Sequence, residues 1–340
     1  MFASIIEKLH RRIDLTETEA AAAMSEIMGG QFTSAQVAGM LVALSIKGER
    51  AAEIVGFAGT MREKAVPLRR SFPDVFDTCG TGGDRLNTFN VSSVSAVVLA
   101  ACGVRVAKHG NRSVSSKCGS ADLFEGLGVN VSADPSVVER CLADVGIAFF
   151  FAPTFHPAMR HVAKTRRELG VRTVFNLLGP LTNPAGAKRQ VVGVPASEYT
   201  DLLAHALMRL GSEHAWVVHG ADGIDEVSTS GYTKVSECRA GSVRTFFLHP
   251  DDFGVQVGQV ESTRVRGLED SIKMTRDVLG GATGVARDLV LINVAAGLLV
   301  AGSVSSLAEG AARAALVLDD GSAEEKLEAL VRCSQESVDD

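Results

Sequence analysis

The first 66 residues place apolar side chains at helical spacing, beginning with Ile5, Ile6 and Leu9. Thr16 with Glu19 forms a capping box, and Gly29-Gly30 stops the helix it starts. Thr33 with Gln36 repeats the device, and Gly48 ends that second helix. A further helix runs to about Ala65, just before Pro67. From Asp74 the pattern changes. Short β-prone runs alternate with helical runs: Val75–Thr78, then Ser93–Cys102, then Val104–Ala107, then Asp122–Leu127. Asp134-Pro135 is a helix start, with Asp as cap and Pro in the first position. Further β-prone runs are Ala148–Phe151, Gln190–Val194 and Ala215–His219. The predicted class is therefore α/β: a small helical N-terminal domain, and a larger α/β domain whose central sheet is flanked by helices.

The segment 164–190 interrupts this rhythm with polar, Gly- and Pro-rich sequence, and is expected to return to the helical unit. The expected division is 1–70 plus roughly 164–190 for the helical unit, and 71–163 with 191–340 for the α/β unit. The segment 239–265 is a β-prone excursion with no evident place. Leu289–Ala301 is apolar throughout but shorter than the roughly 20 residues a bilayer span needs, so it reads as a buried helix.

Composition narrows the function. The chain has 340 residues, 46% hydrophobic and 22% charged, which fits a folded globular protein too long for a single core. A net charge of -6 gains little from counterion release, so no nucleic-acid partner is expected, and no membrane partner either. The six cysteines form no CxxC pair and no zinc-spaced cluster, which suits a reducing cytoplasm.

Four segments carry chemistry. The first, Asp77-Thr-Cys-Gly-Thr-Gly-Gly-Asp84, lies between a β-prone run and a helix. Gly80, Gly82 and Gly83 let backbone N–H groups approach an anion, the helix N-terminus adds positive potential, and Thr88, Asn90, Ser92 and Ser93 add neutral donors. The same segment without a ligand is a glycine-rich turn. It lacks the ending of a Walker loop and the GxGxxG spacing. The second, Lys108-His-Gly-Asn-Arg-Ser-Val-Ser-Ser-Lys-Cys-Gly-Ser120, mixes cations, hydroxyls and amides, as a phosphate ester requires, or as a solvated basic loop would. The third, Asp225-Glu226, offers paired carboxylates for Mg²⁺ and reads as ordinary surface unless a phosphate site is near. The fourth runs from His156 through Arg166-Arg167 to Asn176-Leu-Leu-Gly-Pro-Leu-Thr-Asn-Pro184, where an arginine could grip a carboxylate bidentately.

Together, Gly80-Thr-Gly-Gly-Asp84, Lys108-His-Gly-Asn-Arg112, Asp225-Glu226 and Asn176–Pro184 resemble the signature motifs of anthranilate phosphoribosyltransferases, in that family's order and over nearly the whole chain. The resemblance implies transfer of a phosphoribosyl group from 5-phosphoribosyl 1-diphosphate to the amine of anthranilate, in tryptophan biosynthesis. It implies that Gly80, Gly82, Gly83, Asp84, Thr88, Asn90, Val91, Ser92 and Ser93 bind the diphosphate and ribose. Lys108, His109, Gly110, Asn111, Arg112, Ser113, Val114, Ser115, Ser116 and Ser120 would enclose the phosphates. Gly80, Asn111 and Arg166 would bind anthranilate. Ser92, Asp225 and Glu226 would serve two Mg²⁺ ions, and a homodimer would pair through the helical domain. No dedicated general base is assigned, and His109 is a candidate only for removing a proton after attack. The chain departs from the family at Arg85, at Lys164-Thr165 before Arg166, and at Cys118. The alternative readings are a pyrimidine nucleoside phosphorylase-like enzyme and a non-catalytic nucleotide- or nucleic-acid-binding relative.

Overall fold

A computed structural model describes residues 1–112 and 118–336. Four helices open the chain: α1 (Phe2–His10), α2 (Glu17–Met28), α3 (Ser34–Lys47) and α4 (Ala51–Glu63). The Thr16 and Thr33 capping boxes start α2 and α3 as the sequence predicts, each with both reciprocal hydrogen bonds. α2 and α4 approach closely: a side chain on Gly56 would lie 2.3 Å from the Glu17 carbonyl oxygen. The loop before α2 is tied down by Glu53, which is fully buried, accepts from the Leu15 N–H and pairs with Lys47.

The second unit is built on a seven-stranded sheet in the order β3-β2-β1-β4-β5-β6-β7. Its strands are β1 (Phe76–Asp77), β2 (Val106–Gly110), β3 (Ile147–Phe151), β4 (Arg189–Gly193), β5 (His214–Gly220), β6 (Thr233–Arg239) and β7 (Ser242–Leu248). The first five are parallel, and β6 and β7 are added antiparallel at one edge. β7 accounts for the first part of the unplaced excursion, and the rest is loop with two short 3₁₀ turns, Pro250–Phe253 and Val260–Thr263. The sequence reading caught the β-prone character of 239–265 but missed β6 before it. The chain between the strands forms α5 (Val91–Ala101), α6 (Ser120–Gly126), α7 (Pro135–Arg140), α8 (Ala152–Phe155), α9 (Arg160–Leu169), α10 (Phe175–Leu178) and α11 (Glu198–Arg209). After β7 come α12 (Leu268–Leu279), α13 (Val285–Ala301), α14 (Leu307–Asp319) and α15 (Ser322–Gln335). No helix among the described residues is long and apolar enough to cross a membrane.

Strand alternation decides which face each residue serves. Val191, Trp216 and Val218 join a core with α5, α13 and α15, whereas Val192, Ala215 and Val217 join a second core with α1–α4. The sheet is thus buried on both faces, which explains why β3 and β5 read as nearly continuous apolar runs. α5 and α13 are apolar on almost every side because they are sandwiched. Gly297 of α13 lets Leu99 of α5 come so close that a Cβ there would lie 2.8 Å from it. The second core also takes in Val162, Val174, Phe175, Leu177, Leu178 and Leu181, so part of the interrupting segment packs with the helices.

The order of the strands fixes where a ligand can sit. The chain leaves β1 toward β2 on one side, while β4 lies on the other, so the switch point falls between the carboxyl ends of β1 and β4. The glycine-rich segment leaves β1 at that point.

Candidate active site

Around the switch point lies a cavity of about 550 Å³. Beside it, Asp77, the last residue of β1, fixes the loops that line it. Asp77 Oδ1 accepts hydrogen bonds from the Cys79 and His109 backbone N–H groups, at 3.0 and 3.2 Å, and Oδ2 accepts from Asn183 Nδ2 at 2.7 Å. One buried carboxylate therefore registers both loops of the predicted phosphate site against the 176–184 segment. Burial pushes this carboxyl up, and Lys108 and the three N–H donors work against that.

Beyond it, Gly82 and Gly83 adopt φ of +65° and +94°, the left-handed region open to glycine. Gly80 lies against Gly193 at the end of β4, whose carbonyl accepts from the Thr81 N–H at 2.9 Å. A side chain on Gly193 would collide with the Asp225 carbonyl at 1.5 Å. Glycine on both sides thus lets the loop after β1, the end of β4 and the Asp225-Glu226 turn after β5 stack backbone on backbone.

Asp84, Asp225 and Glu226 meet there. Burial pushes the Asp225 carboxyl up to about 7, with the Asp84 charge adding to it. Burial and then Asp225 push Glu226 well above the usual range, against the Lys108 charge and the Ser92 N–H, which donates to Glu226 Oε1 at 3.1 Å. Asp84 Oδ2 is buried without a hydrogen-bond partner among the described residues. Mutually repelling carboxylates with an orphaned oxygen have the donor chemistry of a hard divalent cation site, and Ser92 Oγ lies at the same place. Asp77, Cys79 and His109 also bring ligand atoms within 4.8 Å of one another. That trio is a poor metal centre, because Asp77 is spent on N–H donors and burial pushes the Cys79 thiol up to about 12.

The second loop begins later than its sequence pattern predicts. Lys108, His109 and Gly110 belong to β2 itself. Lys108 is buried, and its ammonium donates to the Thr78 carbonyl at 3.0 Å and to Ser92 Oγ at 3.4 Å. His109 Nδ1 lies 3.0 Å from the Gly179 carbonyl, while Nε2 is buried with no partner among the described residues. Burial, reinforced by His156, pushes His109 down to about 3, so the ring is neutral and donates through Nδ1. A ring that holds a proton so weakly is a poor base, which counts against even the limited role the sequence reading left it. Asn111 and Arg112 are exposed at the rim. The Arg112 guanidinium is turned onto Asp122 and Glu125 at 2.7 and 2.8 Å.

Thr88, Asn90, Val91, Ser92, Ser93, Gly110 and Ser120 line the same cavity. The Asn90 side chain is already used, donating to the Cys118 carbonyl and accepting from Ser271. Ser93 Oγ is buried without a partner. Ser113, Val114, Ser115 and Ser116 lie outside the described residues.

On the opposite wall stands Arg166 of α9. Its guanidinium packs 5.1 Å above the Phe175 ring, burial pulls its pKa down, and it makes no ion pair among the described residues. Lys164 is 81% exposed and Thr165 is buried beneath the helix, so neither departure from the family pattern faces the cavity. Arg167 is exposed and away from it. Arg85 is exposed with φ of 62°, and Cys118 is buried. The sequence reading gave no role to Asp77, Asn183, Gly193 or Arg172. Asp77 and Asn183 lie inside quoted motifs and Gly193 and Arg172 in none, but the role of each goes through a partner at least 30 residues away.

Comparison with known proteins agrees with this arrangement. Residues 3–65 match the model described as the glycosyl transferase family, helical bundle domain, and residues 72–324 match the glycosyl transferase family, a/b domain. The anthranilate phosphoribosyltransferase of Syntrophobacter fumaroxidans is 51% identical, covering 98% of both chains. The crystal structure of anthranilate phosphoribosyltransferase from Thermus thermophilus superposes with a TM-score of 0.91 at 44% identity, over 98% of this chain and 99% of that one. The Saccharomyces cerevisiae enzyme, solved in complex with PRPP and Mg, gives 0.89 at 28% identity, over 98% and 97%. The chain therefore belongs to the anthranilate phosphoribosyltransferase family of glycosyl transferases.

Proposed function

We propose that this enzyme transfers the phosphoribosyl group of 5-phosphoribosyl 1-diphosphate to the amine of anthranilate, giving N-(5-phosphoribosyl)anthranilate and diphosphate in tryptophan biosynthesis. The observation that carries the reading is the division of one cavity into two chemistries: a glycine loop, Lys108 and three carboxylates on one wall, an unpaired arginine on the other.

The ribose C1–O bond to diphosphate breaks and a C1–N bond forms, through an oxocarbenium-like transition state. Negative charge gathers on the leaving diphosphate. The N–H groups of Gly80, Gly82 and Gly83, and the Lys108 ammonium, are positioned to stabilise it. Asp225, Glu226 and Ser92 would hold two Mg²⁺ ions, which when bound would further neutralise that charge. Asp84, Thr88, Asn90, Val91 and Ser93 complete the diphosphate and ribose site. Lys108 through Ser116, and Ser120, close around the phosphates, which requires Arg112 to leave its two acidic partners. Anthranilate sits between Gly80, Asn111 and Arg166, where the arginine grips the carboxylate and aims the ortho amine at C1. An aryl amine is neutral at pH 7 and needs orientation rather than a base, consistent with a neutral His109.

The helical unit, 1–70 with roughly 164–190, is the dimerisation domain in this reading, and 71–163 with 191–340 is the substrate domain. Ile13, Val42, Ile46 and Val171 support a homodimer through the helices: all are exposed and apolar, and all lie on that unit. The six cysteines, none of them in a disulfide, support a cytoplasmic location. Diphosphate release tests the function. It should require both Mg²⁺ and anthranilate; release of free base from a nucleoside and inorganic phosphate, with no anthranilate-dependent diphosphate release, would refute it.

A further inference from the structure

We propose that Arg172 is a positioning residue for the diphosphate, supplied by the helical half of the molecule to the glycine loop of the other half. Arg172 follows α9 and precedes Val174 and Phe175, which pack in the helical core. Its side chain crosses to the loop after β1, where Nη1 donates to the Gly82 carbonyl at 3.1 Å. That bond holds the peptide between two left-handed glycines with its carbonyl turned toward the arginine, while the Gly80, Gly82 and Gly83 N–H groups have no acceptor among the described residues and can meet an anion. Contact is tight enough that a side chain on Gly83 would lie 1.6 Å from Nη1. Glycine is therefore required at 83 on two grounds, its φ and the arginine.

The other nitrogen is more telling. Arg172 Nη2 is buried with no partner among the described residues, and the residue lines the cavity on the side of Asp225, whose charge it helps to hold. A buried guanidinium donor without an acceptor is costly, and an oxygen of the leaving diphosphate, cupped by the same loop, would satisfy it. Arginine rather than lysine is needed, because one planar fork must hold the loop and reach the ligand together. Since the loop and the arginine belong to different halves, diphosphate binding depends on how those halves are set against each other.

This inference rests on the diphosphate reading of the glycine loop, and the test separates the two. Calorimetry with Mg²⁺ and diphosphate, the reaction product, is run on the wild-type enzyme, Arg172→Met and Arg172→Lys. Loss of one charge-assisted contact predicts binding weaker by about 10- to 100-fold in Arg172→Met. Arg172→Lys, which keeps the charge but not the fork, should fall between. The KM for 5-phosphoribosyl 1-diphosphate should rise in parallel while that for anthranilate stays within about twofold. A merely structural arginine would lower thermal stability without that split between substrates. Arg172→Lys carries the same test if Arg172→Met does not fold. Wild-type enzyme that fails to bind diphosphate overturns the reading of the site, and this inference with it. Wild-type enzyme that binds it, with both variants equally tight, overturns this inference alone.

Discussion

Replacing Arg166 by alanine tests the acceptor half of the site most directly. In the free enzyme this guanidinium is half-buried, has no anionic partner among the described residues, and rests on the Phe175 ring at 5.1 Å. Truncation removes a cation–π contact of about 0.5–1 kcal/mol and also relieves the desolvation of an unpaired cation. The two effects oppose each other, so fold stability should change little. In the complex the balance differs. The anthranilate carboxylate is the partner that is missing, and a charge-assisted bond to it contributes roughly 1.5–3 kcal/mol. Arg166→Ala should therefore raise the anthranilate KM by about 10- to 150-fold and leave the KM for 5-phosphoribosyl 1-diphosphate nearly unchanged. Arg166→Lys should recover only part of the loss, since an ammonium cannot bridge both carboxylate oxygens. Arg167→Ala is the control, because Arg167 is exposed and outside the cavity. Steady-state kinetics with each substrate varied in turn, beside thermal unfolding of each variant, decide the matter. An unchanged anthranilate KM in Arg166→Ala, or an equal rise for both substrates, would refute the assignment.

Four further outcomes are expected. Asp225→Asn with Glu226→Gln should abolish Mg²⁺-dependent turnover; activity that persists across a Mg²⁺ titration would remove both from the metal site. Because the folded Asp225 carboxyl keeps its proton to about 7, well above its unfolded value, metal-free enzyme should lose stability as pH rises from the ordinary carboxylate range through about 7. Asp225→Asn should flatten that slope in calorimetric unfolding, and an unaltered slope would place the titration elsewhere. Gly83→Val puts a branched side chain at a φ of +94° and against Arg172, so affinity for the diphosphate substrate should fall far more than affinity for anthranilate in calorimetry. Ile46, 68% exposed on α3, should lie in the subunit contact; Ile46→Glu should give a monomeric mass by light scattering where the wild-type enzyme gives a dimer.

What the sequence determined by itself was local. Capping boxes at Thr16 and Thr33, the period of α1–α4 and the apolar runs of the parallel strands are set by neighbours a few residues apart, so they read directly. The same holds for the residue types in the motifs, since an anion-binding loop needs glycine and a cation site needs carboxylates wherever they lie. The tertiary structure decided which of these groups meet. It put Asp225 beside Asp84 through a backbone contact that only Gly193 permits, and it used Asp77 to fasten Asn183 and His109 into one register. It paired β6 with β5 across a turn whose β-character no run of apolar residues announces. It also set the proton affinities: burial pushes His109 down to about 3 and Asp225 up to about 7, and no residue type carries that information. Charge, desolvation and backbone approach act through space. A linear sequence specifies them only once the chain has closed the distances between residues more than a hundred positions apart.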